Sequence, residues 1–198
     1  MPLTDLIDHS AVAAIICDAR DPDMLIISCN AAFIALTGYP REEVVGRNCR
    51  FLRGPDTDPE VSRQLREAIG AGQPTMVEIL NYRKDGTAFR NAVMVAPIFD
   101  AEGKVEYFLG SQVDVTERGA LPEVRESMRA AAQDIIARLS RRQHQILVEM
   151  AAGKLNKQIA WDLDLSERTI KMHRSAMFRA LGVKTSADAI RLAVEAGL

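Results

Sequence analysis

The sequence predicts an α+β domain, an antiparallel five-stranded sheet with flanking helices, followed by an all-α domain of four helices. Three observations carry this. Residues 13–115 hold five apolar runs separated by turn signals. Residues 139–198 hold only helical periodicity, cut by caps and glycines. Charge divides at the same place: from Leu139 onward ten Lys/Arg face six Asp/Glu, a net +4, so the preceding residues carry −6 of an overall −2. An acidic front and a basic tail imply that only the tail meets a polyanion. The expected units are 1–117, a helical connector 118–138, and 139–198.

Bulk composition excludes several classes. With 47% hydrophobic and 26% charged residues the chain is ordinary for a soluble globular protein. No apolar run approaches the roughly 18 residues of a membrane helix. The acidic N-terminus is no secretory signal. Cysteines at 17, 29 and 49 make neither a metal spacing nor an even disulfide set, so a reduced cytoplasmic chain without metal is expected.

Taken in order, Ala13 to Asp18 reads as a strand, Asp21-Pro22-Asp23 as a turn, and Leu25 to Cys29 as a second strand. Asn30 caps a helix that stops at Gly38. Asp58-Pro59-Glu60 opens another, with cap, Pro at the first position and an acid in the first turn, ended by Gly72. Thr75 to Lys84 and Thr87 to Phe99 form a hairpin around Asp85-Gly86. Val105 to Val115 follows a second turn. The connector places Leu121, Val124, Met128, Ala131 and Ile135 on one helical seam.

One stretch and one set of strand faces carry chemistry. In Gly46-Arg47-Asn48-Cys49-Arg50-Phe51-Leu52 a cysteine lies between an amide and a guanidinium, before two large apolar residues. Period-two alternation puts Ile79 and Asn81 on one face, Asn91, Val93 and Val95 on another, and Phe108, Gly110 and Gln112 on a third. Facing these inward buries amides that need partners; the opposite faces would bury Glu78, Arg90 and Glu106, which is costlier. Amides, a thiol and arginines around an apolar slot suit a flat heteroaromatic ring with an anionic tail. A flavin nucleotide fits better than a nicotinamide, since no Gly-rich phosphate turn is present.

The stretch from about Ala13 to Glu117 resembles a LOV domain, the blue-light-sensing flavin branch of the PAS fold. The family motif Asn-Cys-Arg-Phe-Leu-Gln appears as Asn48-Cys49-Arg50-Phe51-Leu52-Arg53, and Arg66, Asn81-Tyr82, Asn91, Phe108 and Gln112 also match. The resemblance implies Cys49 as the thiol that forms a covalent adduct with the flavin. Arg50 and Arg66 would hold the phosphate, Asn48 the ribityl side, and Asn81, Asn91 and Gln112 the polar ring edge, with Phe108 and Val93 flanking the ring. FMN is the expected cofactor, with FAD left open. Arg53 departs from the motif's glutamine and either reaches the phosphate or faces solvent. Cys17 stands where relatives carry a small polar residue, as a neighbour that tunes the photocycle; Cys29 reads as packing.

In the tail, Ser140 with Gln143 forms a capping box and Gly153 stops the helix. Asn156 caps a short helix, Ser166 the next, through Leu181 to Gly182, and Ser186 opens a fourth with Ile190, Ala193 and Val194 on one face. The third helix starts basic and polar, as a helix entering a DNA major groove does. The tail resembles the helix-turn-helix of LuxR- and FixJ-type regulators through Leu139-Ser140, Arg142, Gly153, Asn156-Lys157, Ile159-Ala160, Leu163, Ser166, Thr169-Ile170-Lys171, His173-Arg174 and Leu181-Gly182-Val183. Gln143 and Gln145 stand where that family has glutamates. The resemblance implies Lys157, Arg168, Thr169, Lys171 and Arg174 facing double-stranded DNA, and Ile190 and Val194 on a dimer surface. His173 reads as structural or phosphate-facing.

The expected fold is thus a PAS/LOV domain followed by a four-helix LuxR-type helix-turn-helix domain. The expected function is a bacterial blue-light-dependent transcriptional regulator, not an enzyme, in which the sensor masks the last helix in the dark and Gln112 relays the adduct to release it. Two alternatives stay open: a dark dimer whose DNA binding is lost in light, and a flavin redox sensor or oxidoreductase.

Overall fold

The computed structural model describes residues 6–100, 102–117 and 121–198, with the backbone alone at 121–125, 127 and 128. Its sheet has the order β2-β1-β5-β4-β3, all neighbours antiparallel. The strands are β1 (Ala13–Asp18), β2 (Ile26–Cys29), β3 (Thr75–Tyr82), β4 (Ala88–Phe99) and β5 (Val105–Asp114). All five lie within two residues of the expected bounds. Helices α1 (Ala31–Thr37), α2 (Arg41–Val44) and α3 (Pro59–Gly70) lie between β2 and β3. Between α2 and α3 the cysteine stretch forms a 3-10 turn, Cys49–Leu52.

Local chemistry explains these elements. Asn30 caps α1 by accepting from Phe33 N at 2.9 Å and also accepts from Ala14 N at 3.0 Å. Its Nδ2 donates to the carbonyls of Ile7, Ser10 and Val12, so one buried amide ties the N-terminal segment to the sheet. Gly38, with φ of +74°, closes α1 in the left-handed conformation that side chains resist. Asp58 caps α3 by accepting from Glu60 N at 2.7 Å.

The tail is α4 (Leu121–Ile136), α5 (Arg141–Ala151), α6 (Asn156–Asp162), α7 (Glu167–Leu181) and α8 (Ser186–Ala196). Ser140 and Gln143 form the expected capping box, and Ser166 accepts from Thr169 N at 3.1 Å. One cap differs from expectation by one residue. Leu155, not Asn156, occupies the cap of α6, its N–H bonded by Gln158 Oε1 at 2.7 Å. Ser186 opens α8 as expected, with Thr185 before it as the cap, accepting from Asp188 N at 3.1 Å. The side chains of Asn156 and Ser186 are both engaged by Arg174. The connector seam is also displaced: Ala131 is exposed, while Ala132 and Ile136 are buried and Ile135 half-buried. The side chains of Leu121, Val124 and Met128 lie outside the described residues.

Both faces of the sheet are covered. The inner face carries two apolar clusters. One has Ala13, Ile15, Ile26, Phe33 and Leu52; the other has Val77, Ile79, Val93, Val95 and Phe108, with Leu65 and Ile69 of α3 packed on it. The outer face carries Ala14, Ile16, Met94, Ala96, Ile98 and Leu109. These share one continuous core with Ile7, Ile136 and the tail, including Ala189, Ile190, Leu192, Ala193 and Ala196 of α8. Helix α8 is therefore buried nearly all round, not on a single face, with α4 and α5 packed beside it.

Candidate functional site

The inner face encloses a cavity of about 540 Å³, within the usual range of small-molecule sites. Sheet register builds one wall. Ala13, Gln112, Val93 and Val77 form one cross-strand row; Ile15, Gly110, Val95 and Thr75 form the next. Alternation then puts Gln112, Gly110 and Phe108 of β5 toward the cavity, while Ser111 and Leu109 point to the outer face. A side chain at Gly110 would meet Ile15 at 2.9 Å, so glycine keeps this wall flat.

The 3-10 turn forms the opposite wall. Gly46, with φ of +84°, donates to Ile26 O at 2.8 Å, and Ile26 N donates to Arg47 O at 2.9 Å, which docks the turn on β2. Phe51 is held by the Tyr39 ring at 4.8 Å and the Arg47 guanidinium at 4.3 Å. Leu52 is buried. With those anchors, Cys49 lines the cavity. Burial pushes its thiol up to about 12, against a smaller opposite pull from Arg53. It is a neutral thiol with a proton to give, not a standing thiolate. Cys17 also lines the cavity, and burial, then Cys49, push its thiol up as well.

The structure brings every expected cofactor residue to this one cavity: Asn48, Arg50, Arg66, Asn81, Asn91, Val93, Phe108 and Gln112, with Cys49 among them. The polar groups form two sets. In one, Asn91 Nδ2 donates to Asn81 Oδ1 at 2.9 Å, while Asn91 Oδ1 and Gln112 Oε1 are buried with no partner among the described residues. Leaving buried acceptors unpaired costs about 1–3 kcal/mol each. They fit the edge of a ring that carries donors, as a flavin does. The other set is Arg50, Arg53 and Arg66, which also line the cavity. Two expected residues are partly occupied. Asn48 accepts from Arg50 N at 2.9 Å and donates to Asp23 O, and Arg50 pairs with Asp23 at 2.9 Å.

On the tail, Lys157 of α6 and Arg168 and Lys171 of α7 are exposed and carry no ion pair among the described residues. Thr169 is half-buried, its hydroxyl 2.8 Å from that of Ser166. Arg174 is not grouped with them. Its guanidinium donates to Asn156 Oδ1 and, at 2.6 Å, to Ser186 Oγ, and lies 5.6 Å over the Phe178 ring. It clamps α6, α7 and α8 together, and burial lowers its pKa. Ile190 is buried and Val194 half-buried in the shared core, so the expected dimer surface is covered within the chain.

Sequence reasoning missed the residues that join tail to sensor. Ser10 donates to Asp188 at 2.5 Å. Gln158 Nε2 donates to Asp100 O at 2.8 Å, and Phe99 N to Gly153 O at 3.3 Å. Gly153 is there for space as well as for its φ of +82°, since a side chain would meet Pro97 O at 2.4 Å. One signal was available: Val93 to Ile98 is an unbroken apolar run, the mark of a strand buried on both faces. Among the described residues no group could hold a metal ion, and no helix is long and apolar enough to cross a membrane.

Comparison with known proteins agrees with this geometry. Residues 12–117 match the PAS domain model, and residues 137–193 match the model of bacterial regulatory proteins of the luxR family. Blue-light-activated histidine kinase 1 of Erythrobacter litoralis is 51% identical over 127 residues, 64% of this chain and 35% of its own. The blue-light-activated histidine kinase of Rhizobium johnstonii is 39% identical over 140 residues, 71% of this chain and 39% of its own. The chain thus spans little more than a third of these relatives' length. The LOV domain of an Erythrobacter litoralis blue-light-activated histidine kinase is similar in structure at 42% identity and a TM-score of 0.52, covering 54% of this chain and 97% of that one. The light-state LOV domain of the photoreceptor Aureochrome1 has 43% identity and the same score, over 54% and 83%. The chain belongs to the PAS family, in its LOV branch, and carries a LuxR-type helix-turn-helix domain after the sensor.

Proposed function

We propose that this chain is a blue-light-dependent, DNA-binding transcriptional regulator of the cytoplasm. FMN fills the cavity, double-stranded DNA meets the tail, and the DNA-bound form is a homodimer. Its output is DNA binding rather than the kinase activity named for its relatives. One observation carries the reading: β5 serves both sites, with Gln112 on the cavity face and Leu109 in the core that covers α8.

A bound flavin supplies blue-light absorption and a ring carbon open to sulfur. With a flavin held in the cavity, Cys49 would stand as the thiol that adds across the ring's C=N bond, its S–H bond and that π bond being exchanged for one C–S and one N–H bond. Its raised pKa suits this, because the proton is still on sulfur at neutral pH. Gln112 would hold the polar ring edge, and its side-chain amide, which offers either a donor or an acceptor, would turn to keep a bond when the ring edge changes from acceptor to donor. That turn would strain β5 three residues from Leu109, which lies in the core shared with α8. Loosened, α8 exposes Ile190 and Val194 for a second copy, and two α7 helices reach adjacent half-sites with Lys171, Arg168 and Thr169, while Lys157 meets phosphate.

A single hydrogen-bond change is worth about 1–3 kcal/mol, a shift of about five- to a hundred-fold. That shift suffices only if the masked state, despite the continuous core under α8, is no more than slightly more stable than the open one. Absorbance and mass of the purified protein, dark and lit, test the proposal. Expected is a reversible loss of blue absorbance that Cys49→Ala abolishes, with mass rising toward a dimer in light. A bleach that needs reductant means redox sensing, and a dark dimer that dissociates in light reverses the scheme.

A further inference from the structure

The cavity holds a second thiol that the adduct chemistry does not use. Cys17 belongs to the inward set of β1 with Ala13 and Ile15, and its partner on β5 is Phe108 of the cavity wall. The register of β1 on β2 slips between Ile16 and Cys17, which sets Cys17 opposite Ile26. A bulge of this kind re-aims a side chain beside a site. Ile26 is also where the cysteine turn is docked, through its bonds with Gly46 N and Arg47 O. Cys17 and Cys49 thus share a neighbour, line one cavity and pack on one apolar cluster, that of Ile15, Ile26, Phe33 and Leu52. The two sulfurs feel each other: after burial, Cys49 is what raises the pKa of Cys17. Cys29 stands apart. It is buried in the same cluster but does not line the cavity, and Arg41, not a thiol, is the charge that acts on it.

We infer that Cys17 and Cys49 are a disulfide-forming pair, a modification site that closes in the flavin-free chain and disables the light response until it is reduced. The oxidant is a low-molecular-weight disulfide. Cys49 attacks it as thiolate, releasing one thiol and leaving a mixed disulfide; Cys17 then attacks the Cys49 sulfur and releases the second thiol. Two protein S–H bonds and one external S–S bond become one protein S–S bond and two external S–H bonds. The chain loses two electrons and two protons to the oxidant. Each step needs only one thiolate, which suits a pair in which either charge discourages the other. With its sulfur in the bridge, Cys49 has no thiol to add to a flavin ring. A reducing compartment keeps the pair open. The consequence for light rests on the flavin reading; the cross-link itself does not.

The test incubates the flavin-free full-length chain with oxidised glutathione, blocks the remaining thiols and maps its peptides by mass without reductant. Expected is a monomer lighter by two hydrogens, with the Cys17 peptide joined to the Cys49 peptide. Its formation should quicken about tenfold per pH unit, as the thiolate fraction does. FMN is then added. Blue-light bleaching of the oxidised chain should be smaller than that of the reduced chain by about tenfold or more, and should return with dithiothreitol. Cys17→Ser should bleach equally with and without the oxidant, while Cys29→Ser should still lose its bleach to it. Glutathione left on Cys49 alone, a cross-link to Cys29 or a bridge between two chains overturns the inference. So does a mapped Cys17–Cys49 bond in a chain that bleaches as before. A reduced chain that takes up no FMN ends the flavin reading and the effect on light with it, whereas a missing cross-link beside normal bleaching ends the disulfide alone.

Discussion

The side-chain amide of Gln158 on α6 donates to the backbone carbonyl of Asp100 at the end of β4, 2.8 Å away. The same side chain caps α6 through its oxygen, at 2.7 Å from Leu155 N. One residue thus both starts a helix of the LuxR-type domain and fastens that helix to the sensor. Gln158→Glu keeps an oxygen for the cap and replaces the donor with an acceptor facing a carbonyl. The exchange of the Phe99 amide, which bonds Gly153 O beside it, should quicken about five- to tenfold in the dark, from a loss of about 1 kcal/mol. Hydrogen exchange measures this directly, and unchanged protection would remove Gln158 from the latch.

Met94 is buried on the outer face between Val93 and Val95, which line the cavity. Met94→Glu buries an unpaired carboxylate against the tail, costing several kcal/mol, more than any hydrogen-bond signal. The variant should load flavin and bleach normally yet be open in the dark. Light scattering should find its mass the same in dark and light.

Cys49 is expected to remain a thiol throughout the working pH range. Burial raises its pKa from 9.0 to about 12, so the neutral form dominates at every pH below that value. Photobleaching should therefore be flat between about pH 6 and 9. In the flavin-free protein at pH 8, alkylation by iodoacetamide should be about a thousandfold slower than for a free cysteine, since the thiolate fraction falls tenfold per unit. Alkylation at the free rate would mean a thiolate.

Gln112 separates bond formation from signalling. Gln112→Leu should retain the bleach and its recovery while cutting the light-induced gain in DNA binding at least fivefold, as the leucine has no amide to turn. A variant that responds fully would end the relay.

Lys171 and Arg174 lie three residues apart and should behave oppositely. Lys171→Ala should weaken operator binding about five- to tenfold with melting unchanged, because the side chain is exposed and makes no ion pair among the described residues. Arg174→Ala removes the bonds to Asn156 and Ser186 inside the tail. It should cost about 2–3 kcal/mol of stability and lower the melting temperature by several degrees. Thermal melts alongside binding curves separate the two.

Much was legible because it is local. Alternation along β3, β4 and β5 selects Asn81, Asn91, Val93, Phe108 and Gln112 as one inward set, and all five line the cavity. The caps at Asn30, Asp58, Ser140 and Ser166 follow from side chains that reach their own backbone. The misplaced cap at Asn156 shows the limit. Its side chain meets a distant guanidinium, and Leu155 next door takes the cap position. Arg174 reads as surface charge on a helical wheel, and only the packing of α6 and α8 around it shows otherwise.

By itself the sequence determined the two units, the order of their elements, the thiol and the amide faces, since period, capping and motif spacing act over a few residues. Tertiary structure alone decided where α8 goes. Ser10 and Asp188 are 178 residues apart, and Asp100 and Gln158 are 58. Nothing in local propensity records which apolar face another will cover. That choice belongs to the burial of the outer sheet face, which becomes favourable only when the whole chain brings α8 to it.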